Sequence, residues 1–335
     1  MINNDVFLNK VNACWISWHK VPRSRNIAKY LGIPLFEYFK NKNVVQRHLL
    51  SSVWTIKKLR EIKPQIVFLH FSYLLLLIVV LRKLFSKRKI FIIADCHNKA
   101  LKRTIRNPFN IAFQKFKEFV LAYSDLAIVT NRGLINEITK YQQNYFVLPD
   151  KIPTFEVKKN SGKEEKYCVY ISSFDSDEPV EEVLETSKIF KDTLLFYWTG
   201  RQPLWFKKKY LNKYSNIIYT GYLDYSKYYE LLSNAECILI LSREDEILQC
   251  GAYEGLNANV PLVISDNAAS REYFSDAAVF TKITPEEIKN AIDTAIANRI
   301  RIIENSKKIK VERELEFNQQ IDKLIIRIKN DFLAV

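Results

Sequence analysis

The residues with the clearest chemical potential are two glutamates, Glu246 and Glu254, which have seven residues between them. Upstream of the pair, the apolar run CILIL (237–241) predicts a buried strand, and the spacing of apolar residues downstream predicts a helix. Glu246 is therefore expected in a loop at the end of a strand, and Glu254 in the helix that follows. Gly251, near the start of that helix, would let a ligand approach the backbone closely. This strand, loop and helix form a candidate ligand-binding site.

The elements that must position this site repeat along the whole chain. Short apolar runs alternate with segments of helical periodicity, which favours βαβ units and a parallel sheet covered by helices on both faces. Ligands bind such sheets at the carboxyl ends of the strands. The predicted strands are 13–18, 35–39, 65–71, 90–96, 125–130, 145–149, 167–173, 193–199, 216–223, 237–241, 261–265 and 277–280. The predicted helices of the first half are 24–31, 46–63, 73–86, 109–123 and 132–141. In the second half, one helix is predicted after each of the first five strands, and a last helical segment is predicted at 284–331.

The length of 335 residues and the hydrophobic content of 48% predict two domains, each with its own core. Residues 150–166 are polar and without periodicity, which predicts an interdomain linker. The longest apolar stretch, 66–81, is shorter than the ~20 residues that span a bilayer, so we interpret it as a strand and a buried helix. Five irregularly spaced cysteines predict neither a disulfide framework nor a zinc site and favour a reducing cytoplasm.

The two acids, the small-residue helix and the following strand PLVIS (261–265) resemble the E-x7-E donor motif of the retaining GT4 family of nucleotide-sugar glycosyltransferases. The order of elements over almost the whole chain is similar to that family. The resemblance implies the GT-B fold, an α/β architecture of two Rossmann-like domains whose parallel sheets face a central cleft. The implied parts are an acceptor-binding domain at 1–150, a linker at 151–166, a nucleotide-sugar-binding domain at 167–315 and a final helix at 316–335 that braces the first domain.

The same resemblance implies residue roles. Glu246 would contact hydroxyls of the transferred sugar, and Glu254 would bind the ribose hydroxyls of the nucleotide. His97, in ADCHN (94–98), matches a family histidine that faces the anomeric carbon, so His97 and Glu246 are the catalytic candidates. An imidazole there could polarise a sugar hydroxyl or steady developing positive charge. The family's loop glycine after the first acid is absent, since Ile-Leu-Gln follows Glu246.

The loop at 171–179 departs most from the family pattern. Family members carry an Arg and a Lys there that neutralise the departing diphosphate, whereas ISSFDSDEP holds Ser172, Ser173, three acids and no cation. Either the charge is supplied elsewhere, or backbone amides and helix N-termini hold the diphosphate. A guanidinium would suit the first alternative because it forms paired, charge-assisted hydrogen bonds. The remaining donor-binding candidates are Arg243, Arg201, Lys207, Gly251, Cys250, Gly200 and Tyr222.

Charge is distributed unevenly. Residues 1–150 hold 25 Lys and Arg against 8 Asp and Glu, and the remainder holds 26 against 29. A half this basic suits an anionic partner such as nucleic acid, an acidic membrane or a phosphorylated substrate. Cations after the first predicted strand would lie at the binding edge of the sheet, so we assign His19, Arg23 and Arg25 to an anionic glycan or lipid-diphosphate acceptor. A solvated basic turn is the alternative.

Two further basic segments, 81–89 (LRKLFSKRK) and 101–109 (LKRTIRNPF), interleave cations with apolar residues. Such segments could lie on an anionic membrane surface. The N-terminus lacks the basic-then-apolar order of a signal peptide. We therefore expect a cytoplasmic protein at the inner face of the cell membrane.

Together these features predict a hexosyltransferase that moves a sugar from a UDP- or GDP-linked donor to a lipid-linked or polysaccharide acceptor in surface-polysaccharide synthesis. The resemblance implies retention of anomeric configuration and no metal or other cofactor. Four histidines in the chain also argue against a His-rich metal cluster. Two alternatives stay open: a basic nucleic-acid-binding protein, and a GT-B nucleotide-sugar epimerase. The first has no RNP-like strand, zinc spacing or recognition-helix module to support it.

Overall fold

The computed structural model describes residues 5–40, 43–96, 101, 108–156, 165–210 and 213–334. The chain divides into two compact units. Unit 1 comprises Met1–Lys151 and Glu316–Val335, and unit 2 comprises Ile152–Leu315.

Unit 1 is built on six parallel strands. They are β1 (Ala13–Ser17), β2 (Leu35–Glu37), β3 (Ile66–His70), β4 (Phe91–Cys96), β5 (Leu126–Val129) and β6 (Tyr145–Val147), in the order β2-β1-β3-β4-β5-β6. The described helices are α1 (Asp5–Lys10), α2 (Pro22–Tyr30), α3 (Val44–Ile62), α4 (Tyr73–Leu84), α5 (Pro108–Ala122) and the single-turn α6 (Ile135–Ile138). The strands are almost continuous apolar runs because helices cover both faces of a parallel sheet.

Alternate residues of each strand enter two separate cores. Cys14 and Ile16 of β1 face a core that α4 and Leu59 of α3 complete. Trp15 faces the other core, where its ring stacks on Phe68 at 5.2 Å. The last helix of the chain, α13 (Arg299–Ala334), lies against this second core through apolar residues spaced three or four apart: Phe317, Ile321, Leu324, Ile325, Ile328 and Phe332.

Unit 2 repeats this architecture. Its parallel strands are β7 (Tyr167–Tyr170), β8 (Leu195–Thr199), β9 (Ile217–Gly221), β10 (Cys237–Ile240), β11 (Leu262–Ser265) and β12 (Ala278–Thr281), in the order β12-β11-β10-β7-β8-β9. The helices between and after them are α7 (Val180–Ile189), α8 (Leu204–Tyr210), α9 (Tyr225–Ser233), α10 (Cys250–Ala258), α11 (Ala268–Phe274) and α12 (Pro285–Ala297). Apolar clusters again cover both faces of the sheet.

The predicted fold class is confirmed, since both halves are six-stranded parallel sheets alternating with helices. The apolar stretch 66–81 divides into β3 and α4 as expected. Among the described residues, no helix combines the length and hydrophobicity needed to cross a bilayer. One predicted helix, 132–141, is wrong in extent: a 3-10 turn (Arg132–Leu134) leads into α6, which ends at Ile138.

Candidate functional site

The candidate site of unit 2 lies where its strand order reverses. β7 and β10 are neighbours in the sheet, with β8 and β9 beyond one of them and β11 and β12 beyond the other. Connections from two such strands run to opposite sides and leave a crevice at the carboxyl ends. The loop after β7 holds Ser172 and Ser173, and the loop after β10 holds Glu246. The structure therefore brings both predicted loops to one switch point.

Hydrogen bonds join these two loops directly. The Ser242 hydroxyl donates to the Asp177 carboxylate at 2.7 Å, and the Arg243 N–H donates to the Asp177 carbonyl oxygen at 2.7 Å. The Arg243 guanidinium donates to both oxygens of Glu182, at 2.7 and 2.6 Å. Arg243 is thus already paired with an acid of α7, and binding a diphosphate would require it to exchange that partner.

Glu246 lies at the turn of the loop after β10. Its φ of 60° places it in the left-handed region, which is uncommon for a side chain other than glycine. The family's loop glycine is absent from the residues that follow, and the acid itself adopts the conformation that glycine favours. The loop turns at Glu246, which fixes where this carboxylate leaves the backbone.

Glu254 lies on α10 and is oriented by a tyrosine. The Tyr228 hydroxyl donates to Glu254 Oε2 at 2.6 Å. Burial raises the pKa of Glu254, and the hydrogen bond from Tyr228 lowers it without cancelling the rise. Burial also raises the pKa of Tyr228, with the negative charge of Glu254 adding to the shift. The carboxylate is therefore held in one orientation at a partly desolvated position, as a ligand-binding acid requires.

The hydrogen-bond donors of the loop after β7 are occupied by the carboxylate of Glu178, an acid of the same loop. The N–H groups of Ser173 and Phe174 donate to its carboxylate, each at 2.9 Å, and the Ser173 hydroxyl donates at 2.8 Å. The Ser172 hydroxyl also donates to it. Phe174 has a φ of 59°, so successive amides turn toward one point and form an anion-binding nest. The amides that the sequence offered for a diphosphate are occupied by Glu178.

Two glycines of the site are explained by close packing. A Cβ on Gly200, which has a φ of 88°, would lie 2.0 Å from the carbonyl oxygen of Ser172. A Cβ on Gly251 would lie 2.9 Å from the side chain of Ile171. Gly200 therefore lets the ends of β7 and β8 approach each other, and Gly251 lets α10 approach the end of β7.

The remaining donor-binding candidates lie at the same edge of unit 2. Arg201 follows β8 and is exposed, and in the described part of the chain its side chain forms no hydrogen bond or ion pair. Lys207 lies exposed on α8, and Tyr222 follows β9 with 81% of its surface exposed. Cys250 is the exposed first residue of α10, whose N-terminus has no side-chain cap. Arg201 is the better placed of the two candidate arginines.

Three histidines meet at the corresponding switch point of unit 1, between β1 and β3. The His19 and His70 rings have centroids 6.0 Å apart, and the His48 ring lies 5.8 Å from that of Trp18. Burial lowers the pKa of His19, and the positive charge of Arg47 and the nearby His48 lower it further. The His19 imidazole therefore resists protonation unless an anion accompanies it, which keeps His19 an acceptor-binding candidate.

The assignment of Arg23 to the acceptor does not fit the structure. Its side chain is fully buried, with Nε 3.0 Å from Asp95 and another nitrogen bonded to Asp150. A third bond reaches the carbonyl oxygen of Leu148 at 2.9 Å. Burial opposes the charge of Arg23, but the two carboxylates raise its pKa overall. Arg23 ties strand ends together inside unit 1 and has no surface to offer a ligand.

Arg25 is more accessible than Arg23, although it is paired. Its guanidinium donates to both oxygens of Glu37, and 39% of its side chain is exposed. His97 lies outside the described residues. Within the described ranges, no group of three or more His, Cys, Asp or Glu side chains is arranged to hold a metal ion.

Several site residues were not found from the sequence. His70 could have been, because it ends a predicted strand and so lies at the same sheet edge as His19. Tyr228 and Glu178 carried no such signal, since their bonds to Glu254 and to the loop amides depend on how separate segments meet.

Comparison with protein families gives one match in unit 2. Residues 151–311, slightly under half of the chain, match the family described as Glycosyl transferases group 1. No curated protein sequence matches the chain.

Solved structures match over nearly the whole chain. Anabaena HepE in complex with UDP and glucose has a TM-score of 0.71 at 11% identity, covering 94% of this chain and 99% of its own. Trehalose-6-phosphate synthase, studied for glycosyl transfer with retention, has a TM-score of 0.66 at 12% sequence identity. The match covers 97% of this chain and 99% of the synthase chain. A Listeria monocytogenes protein described as a UDP-N-acetylglucosamine 2-epimerase has a TM-score of 0.56 at 10% sequence identity. The match covers 90% of this chain and 91% of the Listeria chain. At these identities the similarity is one of fold.

The family match and the fold agree with the arrangement of the site. Unit 2 places a loop acid and a helix acid at the switch point of a Rossmann-like sheet, and the family match covers both. The chain has the GT-B fold and carries a Glycosyl transferases group 1 domain at residues 151–311, which confirms the predicted enzyme class, a nucleotide-sugar-dependent glycosyltransferase.

Proposed function

We propose that the protein transfers a sugar from a UDP- or GDP-linked donor, bound by unit 2, to an anionic acceptor bound by unit 1. The observation that carries this proposal is the Glu254 carboxylate, fixed by Tyr228 at 2.6 Å on the helix that follows the Glu246 loop. In this assignment Glu254 accepts hydrogen bonds from the ribose hydroxyls, and Glu246 accepts them from the transferred sugar, as in the E-x7-E motif of GT4 enzymes. His97 is assigned to the sugar near the anomeric carbon.

The diphosphate of the donor is assigned to groups outside the loop after β7, because Glu178 occupies the amides there. Arg201 supplies a guanidinium at the end of β8, and the uncapped first turn of α10 supplies N–H groups. Tyr222 is assigned to the nucleobase, as the exposed aromatic ring after β9. Donor binding in this arrangement uses no metal ion.

We assign the reaction to transfer with retention of configuration. The bond between the anomeric carbon and the diphosphate oxygen breaks while the acceptor oxygen bonds to the same face of that carbon. The proton of the acceptor hydroxyl passes to the departing diphosphate oxygen. Charge on the leaving group is largest at this point, so a guanidinium directed at it lowers the barrier.

The acceptor is assigned to the basic unit 1, where the His19 cluster lies at the edge of the sheet. The excess of cations in residues 1–150 suits a lipid-linked saccharide with a diphosphate, as used in surface-polysaccharide synthesis. The enzyme would then work at the inner face of the cell membrane, with the basic segments 81–89 and 101–109 near the lipid. Residues 102–107 of the second segment lie outside the described residues.

Thermal-shift measurements with UDP, GDP, CMP and dTDP sugars test the donor assignment. One nucleotide class should stabilise the wild type, and Glu254→Ala should lose that stabilisation. Glu246→Ala should lower turnover more than nucleotide binding. Glu185→Ala, an exposed acid of α7 paired with Lys188, is the matched control. Full activity and unchanged nucleotide binding in both site variants would remove the assignment.

Two other functions give different results. The Listeria structure described as an epimerase shares this fold, so product analysis must show a new glycoside rather than an altered nucleotide sugar. The basic first half also fits nucleic acid. A salt-sensitive gel shift without nucleotide-sugar protection would favour that function over transfer.

A further inference from the structure

Helix α3 presents most of its apolar side chains to solvent rather than to the core. The residues it buries are Ser51, Thr55 and Leu59. A helix of a soluble protein normally buries an apolar stripe and exposes polar residues, so this arrangement is inverted. The exposed apolar residues, each between 40% and 69% exposed, are Val44, Val45, Leu49, Leu50, Val53 and Ile56. A contiguous apolar stripe of this kind marks an interaction surface.

The orientation of α3 is set on its buried side by a hydrogen bond from Trp18 and by the burial of Leu59. The Trp18 indole donates to the Thr55 hydroxyl at 2.9 Å, and that hydroxyl donates to the Ser51 carbonyl oxygen at 2.8 Å. Leu59 enters the core beside α4. A rotation that buried the apolar stripe would break this bond to Trp18 and remove Leu59 from the core. The exposed stripe is therefore a stable feature of unit 1.

The surroundings of the stripe are basic. Val53 and Ile56 line a shallow groove together with Lys57, Arg60 and Glu61. The one acid in α3, Glu61, is paired with Lys58 at 2.9 Å. The adjacent helix α4 contacts α3 and ends in the exposed Leu81, Leu84 and Phe85, which SKRK (86–89) follows. Apolar side chains bordered by an excess of cations complement an anionic lipid surface.

We propose that Val45, Leu49, Val53 and Ile56, with Lys57 and Arg60, form a surface that docks unit 1 on an anionic bilayer. We call these six residues the α3 surface. The apolar side chains enter the headgroup region, and the cations pair with lipid phosphates. The proposal rests on the proposed function, because the bilayer is where a lipid-linked acceptor would be found. His48 lies in the same helix, so docking brings the histidine cluster close to the lipid headgroups.

Vesicle co-sedimentation tests the α3 surface. The wild type should bind vesicles of phosphatidylcholine with about one-third phosphatidylglycerol, and added salt should weaken the binding. Leu49→Glu/Val53→Glu should lower vesicle affinity at least about tenfold, since it places two charges in the apolar layer. Lys57→Gln/Arg60→Gln should lower it about fivefold per cation and flatten the salt dependence.

The matched control changes equally exposed apolar residues of unit 2. Ile300 and Val311 are 77% and 67% exposed, against 62% and 67% for Leu49 and Val53. Ile300→Glu/Val311→Glu should bind vesicles as the wild type does. Circular dichroism and nucleotide-dependent thermal shifts on the same preparations show that each variant is folded and binds donor.

The outcomes separate the surface from the function. Wild-type protein that binds nucleotide but does not bind these vesicles refutes the α3 surface alone. Vesicle binding unchanged in Leu49→Glu/Val53→Glu also refutes it. Nucleic-acid binding that this variant loses, without vesicle binding, assigns the surface to a different partner and overturns the proposal. Vesicle binding without any nucleotide binding leaves the surface in place and removes the proposed function.

Discussion

Replacing Glu178 with alanine tests whether the loop after β7 is held by its own carboxylate. Four donors converge on this acid: the N–H groups of Ser173 and Phe174, and the hydroxyls of Ser172 and Ser173. A hydrogen bond to an ionised acceptor contributes about 1.5–3 kcal/mol. Water replaces part of this at the exposed Ser173, and the Phe174 amide keeps a 3.0 Å bond to Ser172. We therefore expect unit 2 to lose about 2–4 kcal/mol of unfolding free energy.

Urea unfolding followed by tryptophan fluorescence measures this loss. The Phe174 ring stacks on Trp198 at 5.5 Å, so the indole reports on the loop itself. Glu185→Ala, on helix α7 just after this loop and paired only at the surface with Lys188, should change the unfolding free energy by less than about 0.5 kcal/mol. Comparing the two variants distinguishes the loss of the hydrogen bonds to Glu178 from a general effect of removing an acidic side chain.

Added phosphate distinguishes a vacated nest from simple loss of packing. Inorganic phosphate should stabilise Glu178→Ala more than the wild type, by about 2.7 kcal/mol at a hundred times its dissociation constant. An alanine variant as stable as the wild type would refute the reasoning. Equal phosphate stabilisation of both proteins would refute it as well, since only the variant has free loop amides.

Three further substitutions test other features. Arg23→Met should cost unit 1 about 3–5 kcal/mol in urea unfolding, because it leaves Asp95 and Asp150 without their buried partner; a loss below 1 kcal/mol would contradict this. Gly200→Ala should lower the unfolding free energy by more than about 2 kcal/mol, because its Cβ would lie 2.0 Å from a carbonyl oxygen. Gly221→Ala is the control: its Cβ would meet open space, so the loss should be about 1 kcal/mol. Burial raises the pKa of Glu254 in the folded protein, so the folded state binds more protons than the unfolded chain just above pH 4.5. Stability should therefore fall as pH rises through that window, and Glu254→Gln should remove this fall; an identical pH profile in the variant would contradict it.

The fold could be predicted because parallel strands carry a strong signal. Each parallel strand is a short, nearly continuous apolar run, because helices cover both faces of the sheet. These runs recur along the chain with helical segments between them. All twelve predicted strands are present, with ends that differ by a few residues. The helix predicted at 132–141 was wrong in extent because the helical periodicity there is short. A single helical turn places these apolar residues equally well.

For the candidate site, chain order predicts only the sheet edge at which a residue lies, and the roles of the residues stay predictions. Glu246 and His19 lie in loops that follow strands, and Glu254 lies on the helix after the Glu246 loop, so the sheet fixes the edge near which they lie. Arg23 was misassigned because the same rule places residues near the edge without saying which way they point. Its guanidinium turns inward to Asp95 and Asp150, a choice made by tertiary packing.

The last helix has a consequence for how the polypeptide acquires its structure during synthesis. Unit 1 is discontinuous in the chain: its first segment ends at Lys151, and its second begins only at Glu316. The apolar residues of the second segment, such as Phe317, Ile321 and Leu324, are buried in the core of the first. A ribosome must therefore produce all of unit 2 before the earlier half can close its hydrophobic interior. Until then, part of one face of the nascent N-terminal sheet stays uncovered and depends on rapid completion, or on a chaperone, to avoid aggregation.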